Sequence, residues 1–121
     1  MPVTHVTTNE EFTDFVTNTT HEFVFVDFYA DWCGPCKRIA PTLEVLSKEY
    51  KTVLFLKVNV DELEDLSAEY GVSAMPTFLV FKTGSLSPAF KPICGASEEK
   101  IRALLKTATE KQVQVTVSED F

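Results

Sequence analysis

Phe23-Val24-Phe25-Val26-Asp27-Phe28-Tyr29-Ala30-Asp31-Trp32-Cys33-Gly34-Pro35-Cys36 decides how the rest of this chain is read. Its first half is nearly continuous β-branched and aromatic, the pattern of a central strand buried on both faces. After Cys33 the period changes. Cys36, Ile39, Leu43 and Leu46 follow at helical spacing, with Lys37, Arg38, Glu44, Lys48 and Glu49 largely off that stripe. Pro41 falls inside the expected helix and should kink it, since its ring removes a donor and crowds the preceding turn. A buried strand therefore runs into a helix through a Cys-X-X-Cys joint, and Asp27 is the one charge inside the apolar run.

The joint has its own chemistry. Cys33 is expected at the N-cap, where unpaired backbone N–H groups and the helix dipole favour negative charge and so increase the reactive thiolate. Cys36 then lies in the first turn on the same side, within reach of a disulfide. Gly34 lets a partner's backbone approach, and Pro35 is tolerated where its missing donor would be orphaned anyway. The expectation is one exposed, acidic sulfur and one covered sulfur, an asymmetry suited to two-step thiol–disulfide exchange. The rival readings are a spectator pair and half of a zinc site. Zinc needs further ligands, and only Cys94, His5 and His21 remain, at no recognisable spacing.

Outward from the joint, strands and helices alternate. Val3 to Val6 reads as a short strand, and Thr8-Asn9-Glu10-Glu11 as a capping-box start, Thr8 or Asn9 being the N-cap, to a helix bearing Phe12, Phe15 and Val16. Val53 to Val60 is a second buried strand with one embedded charge, Lys57. Glu62 to Tyr70 is a short helix ending at Gly71, and Thr77 to Phe81 a third strong strand. Lys82-Thr83-Gly84 turns into a weaker strand near Ala89 to Ile93, and the two prolines of the segment Ser85 to Ile93, Pro88 and Pro92, suit an edge or bulge. Ser97 caps a last helix with Ile101, Leu104 and Leu105. The alternation implies an α/β mixed sheet with helices on both faces. Residues 1–109 form one domain on this reading. Residues 110–121 form a strand-like or frayed tail, because Val113, Val115 and Val117 alternate with polar residues.

Composition narrows the class. The chain has 121 residues, 45% hydrophobic, with ten Phe, enough for one core without disulfide support. A net charge of −7, with no long basic run, argues against nucleic-acid binding. No apolar run is long enough for a membrane span, and the first residues do not read as a secretory signal. Three cysteines are too few for a disulfide scaffold. A cytoplasmic single domain is expected.

Val26 to Lys37 with its Trp-Cys-Gly-Pro-Cys, then Pro41, Lys57-Val58-Asn59-Val60-Asp61, Met75-Pro76-Thr77-Phe78 and Gly95 together resemble the thioredoxin family. The resemblance covers about residues 3 to 109. It implies a thioredoxin fold, with a mixed sheet of four to five strands flanked by four helices. A lowered thiol pKa in the Cys-X-X-Cys pair is a known property of that family, and the resemblance implies it here. The resemblance makes Cys33 the attacking thiolate, Cys36 the resolving thiol and Asp27 the buried acid behind them, with Lys57 on the neighbouring strand to temper its burial. It makes Met75-Pro76 a cis peptide. Trp32, Gly34, Pro35, Met75, Pro76, Cys94, Gly95 and Ala96 then form an apolar collar for extended substrate strands. Asp61 is expected to accept from the Trp32 indole.

The implied activity is general protein-disulfide reduction that maintains cell redox homeostasis. The partners are disulfide-containing proteins and a thioredoxin reductase, and the chain is a monomer. No cofactor is bound, because NADPH and flavin belong to the reductase. A disulfide oxidase or isomerase is the nearest rival, disfavoured by Pro35, where isomerase-like relatives carry His. A binding module without turnover is the rival of another kind. Tyr29 stands where bacterial relatives often carry Trp. Ser85 to Ile93 is a few residues longer than usual. Cys94 is either a small apolar rim residue or a regulatory thiol.

Overall fold

Alternation along the buried strands divides the side chains between two helical layers. The structure, a computed structural model, describes residues 3–119, with side chains as far as residue 110. Its elements are β1 (Val3–His5), α1 (Asn9–Asn18), β2 (Phe23–Tyr29), α2 (Gly34–Glu49) and β3 (Val53–Asn59), followed by α3 (Glu64–Glu69), β4 (Thr77–Lys82), β5 (Ile93–Cys94) and α4 (Glu98–Glu119). Five strands form one sheet in the order β1-β3-β2-β4-β5. β1, β3 and β2 are parallel, while β4 is antiparallel to β2 and β5 to β4. This is the mixed sheet with four helices expected from the sequence.

Phe25, Phe55 and Phe78 point to one face, where Ile39, Leu43 and Leu46 of α2 and Ile101 and Leu105 of α4 cover them. The Phe25 ring lies 4.9 Å from Phe55 and 5.4 Å from Phe78, centroid to centroid. Val24, Val26, Phe28, Leu56 and Phe81 point to the other face, under Phe12 and Val16 of α1 and Leu66 of α3. Because strand side chains alternate, Asp27 and Tyr29 share the Phe25 face, and so stand on the α2 side. Thr8 is the N-cap of α1, accepting from the Glu11 N–H, while the Glu11 carboxylate accepts from the Thr7 N–H at 2.8 Å. Pro41 lies inside α2, which continues to Glu49.

Three stretches differ from expectation. α3 starts at Glu64 rather than Glu62, because the Glu62 and Leu63 N–H groups turn back to the Asn59 carbonyl at 3.1 and 3.0 Å. The last strand is only Ile93–Cys94. Nearer the hairpin, Phe81 forms a lone bridge with Pro88, and the Ala89 N–H donates to the Val80 carbonyl at 2.8 Å. Pro88 and Pro92 have no N–H to continue the ladder. Finally, α4 runs to Glu119 across most of the stretch read as strand-like. No Gly or Pro after Gly95 supplies a stop. Residues 120–121 lie outside the described residues. Among those described, no helix is long and apolar enough to cross a membrane.

Candidate active site

Cys33 sits where β2 has ended and α2 begins. It is the N-cap of α2 in extended conformation, and its Sγ accepts from the Cys36 N–H at 3.2 Å. Pro35 occupies the first turn of the helix, where no N–H is needed. Cys33 and Cys36 are bonded as a disulfide, with Cα atoms 5.3 Å apart. A helix N-terminus directed at Cys33 Sγ favours negative charge there once the bond opens.

Both sulfur residues are 4% exposed, against the expectation of one exposed and one covered. The cause is the segment opposite. Cys33 Sγ lies 3.6 Å from the Met75 carbonyl oxygen, and Met75 packs against Ala30, Cys33 and Cys36. The asymmetry survives in what each residue faces. Cys33 is flanked by exposed Trp32, Gly34 and Pro35, whereas Cys36 lines a cleft that it shares with buried Asp27.

The Met75–Pro76 peptide is cis, as the resemblance implied. The Gly95 N–H donates to the Pro76 carbonyl at 2.8 Å, and Thr77 pairs with Cys94 across the β4–β5 ladder. These contacts bring Cys33, Met75, Pro76, Cys94 and Gly95 into one continuous patch. Gly95 has φ 98, a left-handed backbone that glycine adopts without strain. Trp32 completes the patch, 67% exposed, its indole N–H donating to Asp61 Oδ2 at 3.0 Å. Cys94 is exposed and outside any disulfide.

Behind the disulfide is a cleft of about 130 Å³ lined by Asp27, Tyr29, Ala30, Asp31, Cys36, Lys37, Ala40 and Lys57. Asp27 is buried, and its Oδ1 has no hydrogen-bond partner among the described residues. Burial pushes its carboxyl up to about 7, against the opposing pull of the Lys57 ammonium. The expected Asp27–Lys57 pairing is present as strand register and charge proximity but not as contact. The two residues face each other across β2 and β3, yet no ion pair joins them among the described residues. Lys57 Nζ instead lies over the Tyr29 ring, 5.8 Å from its centroid. A buried carboxyl that titrates near neutrality, sharing a cleft with Cys36, can exchange a proton with that thiol through a water.

Sequence reasoning missed two participants. Asn59 is buried, and its Oδ1 accepts the Asp61 N–H at 2.9 Å, which fixes the carboxylate that holds Trp32. Its signal was available: a polar residue at the end of an apolar strand, as Asp27 and Lys57 are polar residues within one. Tyr29 had no such signal, since an aromatic residue in a buried strand reads simply as core. A wider cleft of about 570 Å³ lies between the starts of α1 and α3, lined by Glu10, Asp61, Glu62, Glu64 and Asp65 among others. Neither sulfur reaches it. Among the described residues no three His, Cys, Asp or Glu side chains converge as a metal-ligand set.

Comparison with known proteins adds to this geometry. Residues 3–107 match the thioredoxin family model. Thioredoxin-2 of Pyricularia oryzae is 42% identical over 105 residues, which are 87% of this chain and 58% of that protein. The chain thus spans little more than half the length of that relative. Thioredoxin 1 of Plasmodium falciparum is 41% identical over 101 residues, 84% of this chain and 92% of that protein. A crystal structure of a poplar thioredoxin h superposes with a TM-score of 0.83 at 32% identity, covering 90% of this chain and 97% of that one.

Proposed function

The chain belongs to the thioredoxin family, and from that premise we propose that it serves as a general protein-disulfide reductant. The family's chemistry, protein-disulfide oxidoreduction by dithiol–disulfide exchange, resides here in Cys33 and Cys36. The observation that carries the proposal is the Cys33–Cys36 disulfide at the N-terminus of α2, facing the Met75–Pro76 segment.

In the proposed cycle, the Cys33 thiolate attacks one sulfur of a substrate disulfide. The substrate S–S bond breaks, its leaving sulfur takes up a proton, and a mixed disulfide forms. Asp27 accepts the Cys36 proton, and the new thiolate attacks Cys33 Sγ. That displaces the second substrate sulfur and closes Cys33–Cys36. Two electrons have passed to the substrate, which leaves as a dithiol. Trp32, Gly34, Pro35, Met75, Pro76, Cys94 and Gly95 provide the docking collar. Among the described residues the Met75 N–H makes no hydrogen bond, which supports pairing with an extended substrate backbone.

The oxidised chain then needs a separate reductant. A thioredoxin reductase holding NADPH and flavin supplies it on this reading, and this chain binds no cofactor, works as a monomer and acts in the cytoplasm. A reductase-coupled assay on a protein disulfide tests the function. Wild type should consume NADPH and Cys33→Ser should not, while Cys36→Ser should accumulate the mixed disulfide. Activity retained by Cys33→Ser would overturn the reading in favour of a binding module. A strongly oxidising potential would favour a disulfide oxidase instead.

A further inference from the structure

His5, Lys57 and Asp27 lie side by side across β1, β3 and β2, because the parallel register sets His5 opposite Lys57 and Lys57 opposite Asp27. Neighbours in register project to the same face, so the Lys57 and Asp27 side chains leave the sheet together. A carboxylate and an ammonium so placed attract each other. They do not make it among the described residues. Lys57 Nζ lies over the ring of Tyr29, two residues further along β2, at 5.8 Å from the centroid. That separation falls within the range, about 6 Å, in which an aromatic face attracts a cation.

We propose that Tyr29 is a positioning residue for the exchange reaction, its ring holding the Lys57 ammonium out of contact with Asp27 so that the carboxyl stays free to take the Cys36 proton. The proposal rests on the reading of Asp27 as that proton acceptor. An ammonium in contact with the carboxylate would stabilise its ionised form and weaken it as a base. The buried, unpartnered Asp27 Oδ1 and the cleft shared by Asp27, Tyr29, Cys36 and Lys57 are the geometry this arrangement leaves.

The charged and titratable groups around the cleft can be named from each element. β2 presents Tyr29 beside Asp27, β3 presents Lys57, and β1 presents His5. Cys36 and Lys37 come from α2 and Asp31 from the loop before it, while β4 sets uncharged Phe78 opposite Asp27. Asp31 and Glu62 lie near enough to Tyr29 to raise the pKa of its phenol, behind the larger effect of burial. Both carboxylates remain when Tyr29 is replaced, and Tyr29→Phe separates loss of the hydroxyl's hydrogen bond to Asn59 from loss of the ring.

The test follows the Asp27 carboxyl carbon by NMR titration of the oxidised full-length chain, with Asp27→Asn assigning the resonance. Tyr29→Phe keeps the ring and should keep the wild-type midpoint. Tyr29→Leu should move the midpoint to lower pH by about half a pH unit. The pH profile of mixed-disulfide resolution should move with it. A midpoint that stays or rises in Tyr29→Leu overturns the proposal, and so does Tyr29→Phe moving as far as Tyr29→Leu. In a Lys57→Met background, Tyr29→Leu should leave the midpoint still; a shift there assigns the effect to solvent entry and also overturns it. If Asp27→Asn leaves resolution unchanged, it is the role of Asp27 that fails, and the midpoint separately decides the Tyr29–Lys57 contact.

Discussion

The indole N–H of Trp32 donates to Asp61 across 3.0 Å, tying the loop after β2 to the loop after β3. Asp61 is in turn fixed by Asn59, whose side-chain oxygen accepts its backbone N–H. The most exposed large apolar side chain described in the protein is thus held beside Cys33 by a chain of two hydrogen bonds.

Asp61→Ala should free that indole. One hydrogen bond of this kind contributes about 0.5–1.5 kcal/mol, so the rate on protein disulfides should fall by roughly 2- to 10-fold. A small-molecule disulfide, which needs little of the collar, should react almost as before. Fluorescence anisotropy of the single tryptophan should drop in parallel.

Asp27 makes folding stability depend on pH with a definite sign. Its carboxyl titrates near 3.8 when unfolded and at about 7 when folded, so the native state binds the proton more tightly. Its stabilising contribution is complete below about pH 4 and is lost as pH rises to about 7. Asp27→Asn should therefore be more stable than wild type at pH 8, by a few kcal/mol in order of magnitude, with the difference closing near pH 4. Denaturant unfolding of the oxidised proteins at the two pH values measures this.

Gly95→Ala should cost stability through the backbone alone. Its φ of 98 is a conformation that L side chains rarely adopt, while an added Cβ would meet no atom within 4 Å. A loss of about 1–2 kcal/mol is expected from the dihedral. Disulfide reduction should slow as well, because the Gly95 N–H holds the Pro76 carbonyl. Thermal unfolding together with the reduction assay reads both effects.

Phe25 tests the core beneath α2 and α4. It is fully buried between Phe55 and Phe78, so Phe25→Ala should cost about 3–5 kcal/mol and Phe25→Leu much less. Equal losses in the two variants would show that ring stacking, rather than filled volume, matters at this position.

The centre of the fold was legible because its elements carry their own signals: apolar runs for β2, β3 and β4, a helical stripe after Cys33, and a cap at Thr8. The site was legible at Cys33 and Cys36, where chemistry and spacing coincide, and at Asp27 as a lone charge in an apolar run, while the role of Asp27 and the cis peptide at Met75-Pro76 came from the family resemblance. What escaped depends on surroundings. Val113, Val115 and Val117 alternate like a strand, yet α4 continues through them because nothing in the sequence halts it. The burial of Cys33 depends on Met75 arriving from 42 residues away. The separation of Asp27 from Lys57 depends on where a flexible lysine tip comes to rest, and strand periodicity is silent on that.

The shortness of β5 also bears on how copies of the chain meet in solution. Beyond Ile93–Cys94, that side of β4 meets the Phe81–Pro88 bridge and the Ala89 N–H on the Val80 carbonyl, so the regular ladder there is two residues long. Prolines at residues 88 and 92 deny an incoming strand the donors it would need. The sheet margin next to the reactive sulfurs thus presents an incoming strand with a broken row of partners.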